Sequence, residues 1–196
     1  MKKIIISLIL CCAITPLAWP EIQQDVKKNC NLLGLILAQN HEEGRYIVVK
    51  PKTGLGHLGL NNKREINQAK EYIKKNLVIP NYDISPLLGT LFEINRESIS
   101  LEIGSDIKQG YLIDKENHFS KYFEKNGGGW EKLYQENSKV KGLTTVSIPV
   151  YDKNSNIILV YTGTQSHWLA GAGGVIAYRI EGENLIELGN VMLWIS

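Results

Sequence analysis

The chain has 196 residues, with 22 basic and 20 acidic side chains and a formal charge of +2. Lys2 and Lys3 account for that excess, so a chain without its first 19 residues carries equal numbers of each sign. Such a chain has no general field to draw in nucleic acid or an anionic membrane, and its basic residues alternate with Glu and Asp rather than forming blocks.

The opening "MKKIIISLILCCAITPLAWPEIQQ" places two lysines before an apolar run from Ile4 to about Ala13, followed by small and turn-forming residues. This is the layout of a secretory signal peptide, and the run stops short of the ~20 apolar residues that a spanning helix needs. Cleavage after Ala13 or Ala18 suits the small-residue requirement. Residues 1–19 are therefore read as a leader and 20–196 as one domain, exported to the periplasm or secreted. Membrane attachment would come only through an uncleaved leader or lipidation of Cys11 or Cys12. Neither cysteine follows the small residue that lipidation favours, so both read as hydrophobes of the leader. Cys30 is the one cysteine left after cleavage, so the mature chain forms no internal disulfide.

Residues 22–39 read as a helix whose stripe of Ile22, Val26, Cys30, Leu33 and Leu37 faces a core. Cys30 on that stripe is a buried thiol rather than a nucleophile or metal ligand. "RYIVVK" at 45–50 is a short strand ended by Pro51. The spacing of Ile66, Ala69, Ile73 and Leu77 predicts a surface helix over 61–76, capped by Asn61 or Asn62. Ser85 and Pro86 open a helix over 85–95. Short strands follow at 98–103 and 110–114. "NGGGWEKLY" at 126–134 is a chain reversal into a short helix with Trp130, Leu133 and Tyr134 on one face.

Four β-branched, aromatic-rich runs fill the last third, at 143–150, 156–163, 174–181 and 185–196. The turns "YDKNSN" and "EGEN" join the first and last pairs, which means antiparallel hairpins rather than crossovers. The fold class is α+β, an antiparallel meander of about four C-terminal strands with helices packed on one face, preceded by a mixed half of helix and short strands.

"GTQSHWLAGAGG", Gly163 to Gly174, then becomes a long connection between the two middle strands. Three chemical readings compete for it, and its sequence favours none of them. A phosphate cradle needs a helix N-terminus after its glycines, whereas "VIAYRI" is a strand. Ser166 and His167 are neighbours, so on an extended segment their side chains point to opposite faces. A Ser166 nucleophile would need His57 or His118, with Asp114 or Asp152 behind it. The four histidines, His41, His57, His118 and His167, show no metal-ligand spacing, so neither a metal nor a cofactor is expected. What remains is recognition or architecture. Trp168 tucks back over the sheet or serves as a binding anchor beside Leu169, Ser166 and His167. Gly171, Gly173 and Gly174 supply positive φ or a close backbone approach.

Three segments, "WEKLYQENSKVKGLTTVS", "ILVYTGTQSHWLAGAGGVIAYRIEG" and the terminal "VMLWIS", resemble a C-terminal region found in a family of small bacterial proteins of uncharacterised function. Trp130, Tyr134, Gly142, Ser147, Tyr161, Gly171, Gly173, Trp194 and Ser196 carry the resemblance, which covers roughly residues 120–196. It implies a domain rather than an activity. Some members of that family carry cysteines where this chain has Gln165–Trp168 and Ala170, so the segment is not a site of shared chemistry.

These readings lead to an exported, non-catalytic protein that binds a protein or another envelope component, of the kind an immunity or inhibitor protein exemplifies. The alternatives are a secreted hydrolase using Ser166 and His167 with residues from "TGLGHLGLNN" at 53–62, and a small-ligand pocket between sheet and helices.

Overall fold

The computed structural model describes residues 22–23, 26–39, 42–56 and 62–196. The leader, His41 and His57 lie outside them. In chain order the elements are β1 (Ile22–Gln23), α1 (Val26–Ala38), β2 (Tyr46–Val49), α2 (Lys63–Asn76), α3 (Ser85–Ile94), a 3-10 turn (Ile107–Gln109) and β3 (Tyr111–Ile113). A second 3-10 helix (His118–Phe123), α4 (Gly129–Glu136), β4 (Val140–Val146), β5 (Val150–Asp152), β6 (Ile157–His167), β7 (Ala170–Glu181) and β8 (Asn184–Ile195) complete the chain.

All eight strands join one sheet built around β6. One edge of β6 pairs with β7 along its whole length, and β7 pairs with β8, giving the antiparallel C-terminal meander. The other edge is shared. β5 takes Ile157–Leu159 and leads to β1, while β4 takes Thr162–Gln165 and leads to β2 and β3. The β2–β4 and β2–β3 pairs are parallel, and the rest of the ladder is antiparallel.

The α+β class and the adjacent C-terminal strands agree with the sequence reading. The helices, however, occupy both faces of the sheet. In β6, Ile157, Leu159 and Tyr161 pack against α2 and α3, while Ile158 and Val160 pack against α1. Successive strand residues point to opposite faces, so these two clusters are the two sides of one sheet. Residues 157–161 are buried without a break, which is why that run shows no polar alternation. A third cluster, of Val48, Tyr122, Trp130, Leu133 and Val140, seats α4 and the second 3-10 helix on β2 and β4.

Local chemistry accounts for most boundaries. Asn62 caps α2, its Oδ1 accepting from the Glu65 amide at 2.9 Å, and Lys74 and Lys75 close the last turn. Pro86 sits in the first turn of α3, and Asp83, one residue before the N-cap Ile84, accepts from the Ser85 amide and hydroxyl. These bonds hold the Asp83 carboxyl below its ordinary range.

Several expectations are corrected. Ile22 belongs to a two-residue strand paired with Tyr151 and Asp152, and the helix starts at Val26. Residues 98–103 make one bridge, Ser100 to Lys52, and no strand. The 143–150 run divides into β4 and β5. Ser147 and Ile148 between them are buried and bonded to Tyr161 and Asn95. Above all, the glycine segment is no loop. β6 runs on to His167 and β7 begins at Ala170, so Trp168 and Leu169 alone form the turn of a tight hairpin.

Candidate binding cleft

Glycines 163, 171 and 173 lie within paired strands, with Gly163 opposite Gly173 and Gln165 opposite Gly171. None of the three has positive φ. Their role is the close approach. Trp194 of β8 sits opposite Gly173, and its indole lies over the strip that the glycines leave bare. A Cβ on Gly173 would come within 2.6 Å of Trp194 Cε2, and one on Gly163 or Gly171 within 3.0 Å of the same ring. An aromatic side chain thus supplies the contacts that the strand glycines lack. The Trp194 Nε1–H donates to Tyr161 Oη at 2.8 Å. Gly56, at φ +60°, leaves room for that hydroxyl, since any side chain there would collide with it. Indole, phenol and glycine strip form a flat floor.

An aromatic wall rises on one side. Trp130, on the buried face of α4, meets Phe123 edge-on at 4.8 Å between ring centroids. Trp168 at the hairpin tip closes the group, 5.8 Å from Phe123 and 6.4 Å from Trp130, both near perpendicular. Tyr134 stacks on Trp130 and donates from Oη to the Ser166 carbonyl, which pins the hairpin tip to α4. The glycine run ahead of α4 makes this possible. A Cβ on Gly127 would strike the backbone of Lys121 and Tyr122, and Gly129 passes under the Trp168 ring.

The facing wall comes from α2 and α3. Lys63, Ile66 and Lys70 line it at helical spacing from α2, with Phe92 from α3 and Arg96 just beyond its C-cap. Lys70 Nζ stands 5.3 Å from the centre of the Phe92 ring, a cation–π contact. Between the walls lies an open cleft of about 2030 Å³. That exceeds the ~300–1,000 Å³ usual for a small-molecule site.

Of the four residues expected at a site, Ser166, His167, Trp168 and Leu169, only Trp168 lines the cleft, and the four do not act together. Trp168 lines it and tucks against α4, with about half of its surface still exposed. Leu169 is 83% exposed at the tip of the turn. The Ser166 hydroxyl donates to the Ala170 carbonyl at 3.2 Å, a bond across its own hairpin. His167 Nε2 lies 3.6 Å from Glu131 Oε1 at the surface. The carboxylates that could have supported a nucleophile are structural. Asp114 accepts from the amides of His118 and Phe119 and so caps the 3-10 helix. Asp152 accepts from the Tyr82 and Ser155 hydroxyls and from the Asn154 amide. Among the described residues no three His, Cys, Asp or Glu side chains are grouped to hold a metal.

The sequence reading missed Trp194, Tyr161, Phe123, Phe92 and the cationic stripe of α2 as parts of one site. One signal was present, a Gly-x-Gly run in a strand followed by a terminal Trp. Its meaning depends on a register that brings residue 194 opposite residue 173. Comparison with protein-family models, with curated proteins and with solved structures found no match.

Proposed function

We propose that this chain is an exported, non-catalytic binding module that holds an envelope component, a partner protein above all, in the cleft between the α2–α3 wall and the aromatic wall. The observation that carries the reading is the cleft itself. It has a rigid floor of Trp194 on paired glycines, one apolar wall and one charged wall, and a volume suited to a segment of a larger molecule. Its best-placed polar groups are already committed to capping, hairpin closure and strand clamping, as binding scaffolds require and as a nucleophile with its base would not allow. The leader-like N-terminus supports export to the periplasm or beyond. The resemblance of residues 120–196 to a bacterial family fits the same picture, because Trp130, Tyr134, Tyr161, Gly171, Gly173 and Trp194 are the residues from which the aromatic wall and floor are built.

Site-specific photo-crosslinking in the producing cell tests the reading. A photoreactive residue at Gln165, on the cleft floor, is expected to give one dominant adduct in the envelope fraction. The same residue at Glu183, in the exposed β7–β8 turn, is expected to give none. Equal labelling from both positions, or none from Gln165, would remove the cleft as the binding site. A protein recovered from the cytoplasm with residues 1–19 intact would remove export.

A further inference from the structure

We infer that the occupant of this cleft is an extended, acidic segment of a partner protein, with carboxylates on one side and apolar side chains on the other. The inference rests on the binding reading above and adds the chemistry of what is bound.

Charge is the first support. Lys63 and Lys70 project from one face of α2 into the cleft, joined by Arg96 at the end of α3 and by Lys50, Lys52 and Lys115 beyond the ends of β2 and β3. Among the described residues none of these six cations takes part in an ion pair. The carboxylates lining the same cleft are Glu93, Asp114, Glu116 and Glu124, four against the six cations. In a chain whose charges balance beyond residue 19, the cleft lining carries two more cations than carboxylates, with Lys63, Lys70 and Arg96 against Glu93 on the α2–α3 side. Such an excess attracts an anionic partner and sets its orientation.

Shape is the second. The rings of Phe123, Trp130 and Trp168 pack edge to face at 66° to 83°, with Trp130 buried beneath and Trp168 half exposed, so the wall offers the cleft an apolar aromatic surface. A half-exposed Trp on such a surface packs against an aliphatic or aromatic side chain of a protein partner. An extended peptide satisfies both walls at once, because its successive side chains point to opposite sides. Acidic residues at alternate positions meet the cations of α2 and α3, and apolar residues between them pack against Trp168 and Phe123.

A display library of random dodecapeptides, panned on the whole protein, tests this alongside a set of oligogalacturonates. The expected result is enrichment of peptides in which Asp or Glu alternates with Leu, Phe, Tyr or Trp, with affinity that falls as salt rises. Binding of these peptides should drop at least tenfold in Lys63→Glu/Lys70→Glu and in Trp168→Ala. It should hold in Arg64→Glu/Lys75→Glu, which makes the same charge change elsewhere on α2. Enriched peptides without acidic residues would overturn the inference. So would no enrichment, equal loss in the two α2 double variants, or oligogalacturonate bound in place of peptide. Any of these outcomes beside a persisting Gln165 adduct removes the acidic-segment identity and leaves the cleft as a binding site. Loss of the adduct as well removes both.

Discussion

Gly173 is buried between two strands that leave it no freedom, and the cost of giving it a side chain can be derived from its neighbours. An added Cβ meets the Trp194 ring at 2.6 Å and the Gly163 Cα at 2.9 Å. The Gly163 contact is backbone and cannot retreat, so the indole must leave the strip and give up its hydrogen bond to Tyr161. Gly173→Ala is therefore expected to destabilise the protein by about 2–4 kcal/mol, from overpacking plus a lost buried hydrogen bond. Urea unfolding followed by tryptophan fluorescence reads it, and an unchanged midpoint would mean that Trp194 is not seated on the glycines. Gly89 gives the opposite sign. It lies in α3 with nothing within 4 Å of an added Cβ, so Gly89→Ala should stabilise by about 0.5–1 kcal/mol through helix propensity alone. The same urea series checks it. In the sequence these glycines look alike. What separates them is a tryptophan 21 positions further on, brought into place by strand pairing, and no local pattern records that.

Asn95 shows how one side chain can join two elements. It ends α3, is buried, and makes three hydrogen bonds. Nδ2 donates to the carbonyls of Leu91 and Ile148, both at 2.9 Å, and Oδ1 accepts from the Ile148 amide at 2.7 Å. The Ile148 backbone, between β4 and β5, thus receives the pairing that a neighbouring strand would otherwise give. Asn95→Ala leaves that amide and carbonyl buried without partners, so a loss of about 3 kcal/mol is expected. Hydrogen exchange at the Ile148 amide should accelerate more than exchange in β7. Uniform acceleration would instead indicate a general loss of stability. Elements with a strong local signature, such as α2 with its cap and stripe, were readable from the sequence. Those that depend on a distant partner were not. Residues 98–103 keep the apolar alternation of a strand, and Ile99, Leu101 and Ile103 do pack into the α1-side cluster. Their backbone bonds go to Pro51 and Thr53 rather than to a ladder. Alternation reports burial on one side, and pairing is a separate property. β1 failed for the converse reason, since two residues carry too little pattern to separate Ile22 from the helical stripe that follows.

The cleft draws on β2, α2, α3, the second 3-10 helix, α4, β4, β6 and β8, so its residues run from Val48 to Trp194 and form no motif. A near-balanced total charge says nothing of how the charges are placed, and the fold gathers Lys63, Lys70 and Arg96 on one wall. The sheet between the two helical layers also makes the stability of the molecule depend on groups buried on either face. Tyr178 on the α1 side has its phenol pushed up to about 12, by burial first and then by the nearby Glu187 carboxylate. Tyr82, packed on the α2–α3 side, is also raised, by burial above all and with Asp152 adding to it. In the unfolded chain both phenols ionise near their ordinary value of about 10. Below that pH neither state is charged, and the buried phenols contribute their full stability. As pH rises through 10 the unfolded chain loses protons that the folded chain still holds, so stability falls with pH until the folded groups ionise in turn. Urea midpoints should therefore be level up to about pH 9 and decline from about pH 10 to about pH 12. No hydrogen bond holds the Tyr178 hydroxyl among the described residues, so Tyr178→Phe retains the packing and should flatten that decline without shifting the midpoint at neutral pH. A variant that declines as steeply as the parent would mean that Tyr178 titrates normally and that the layer above it admits water. A flat profile in both proteins would extend the same conclusion to Tyr82 and to the opposite face of the sheet.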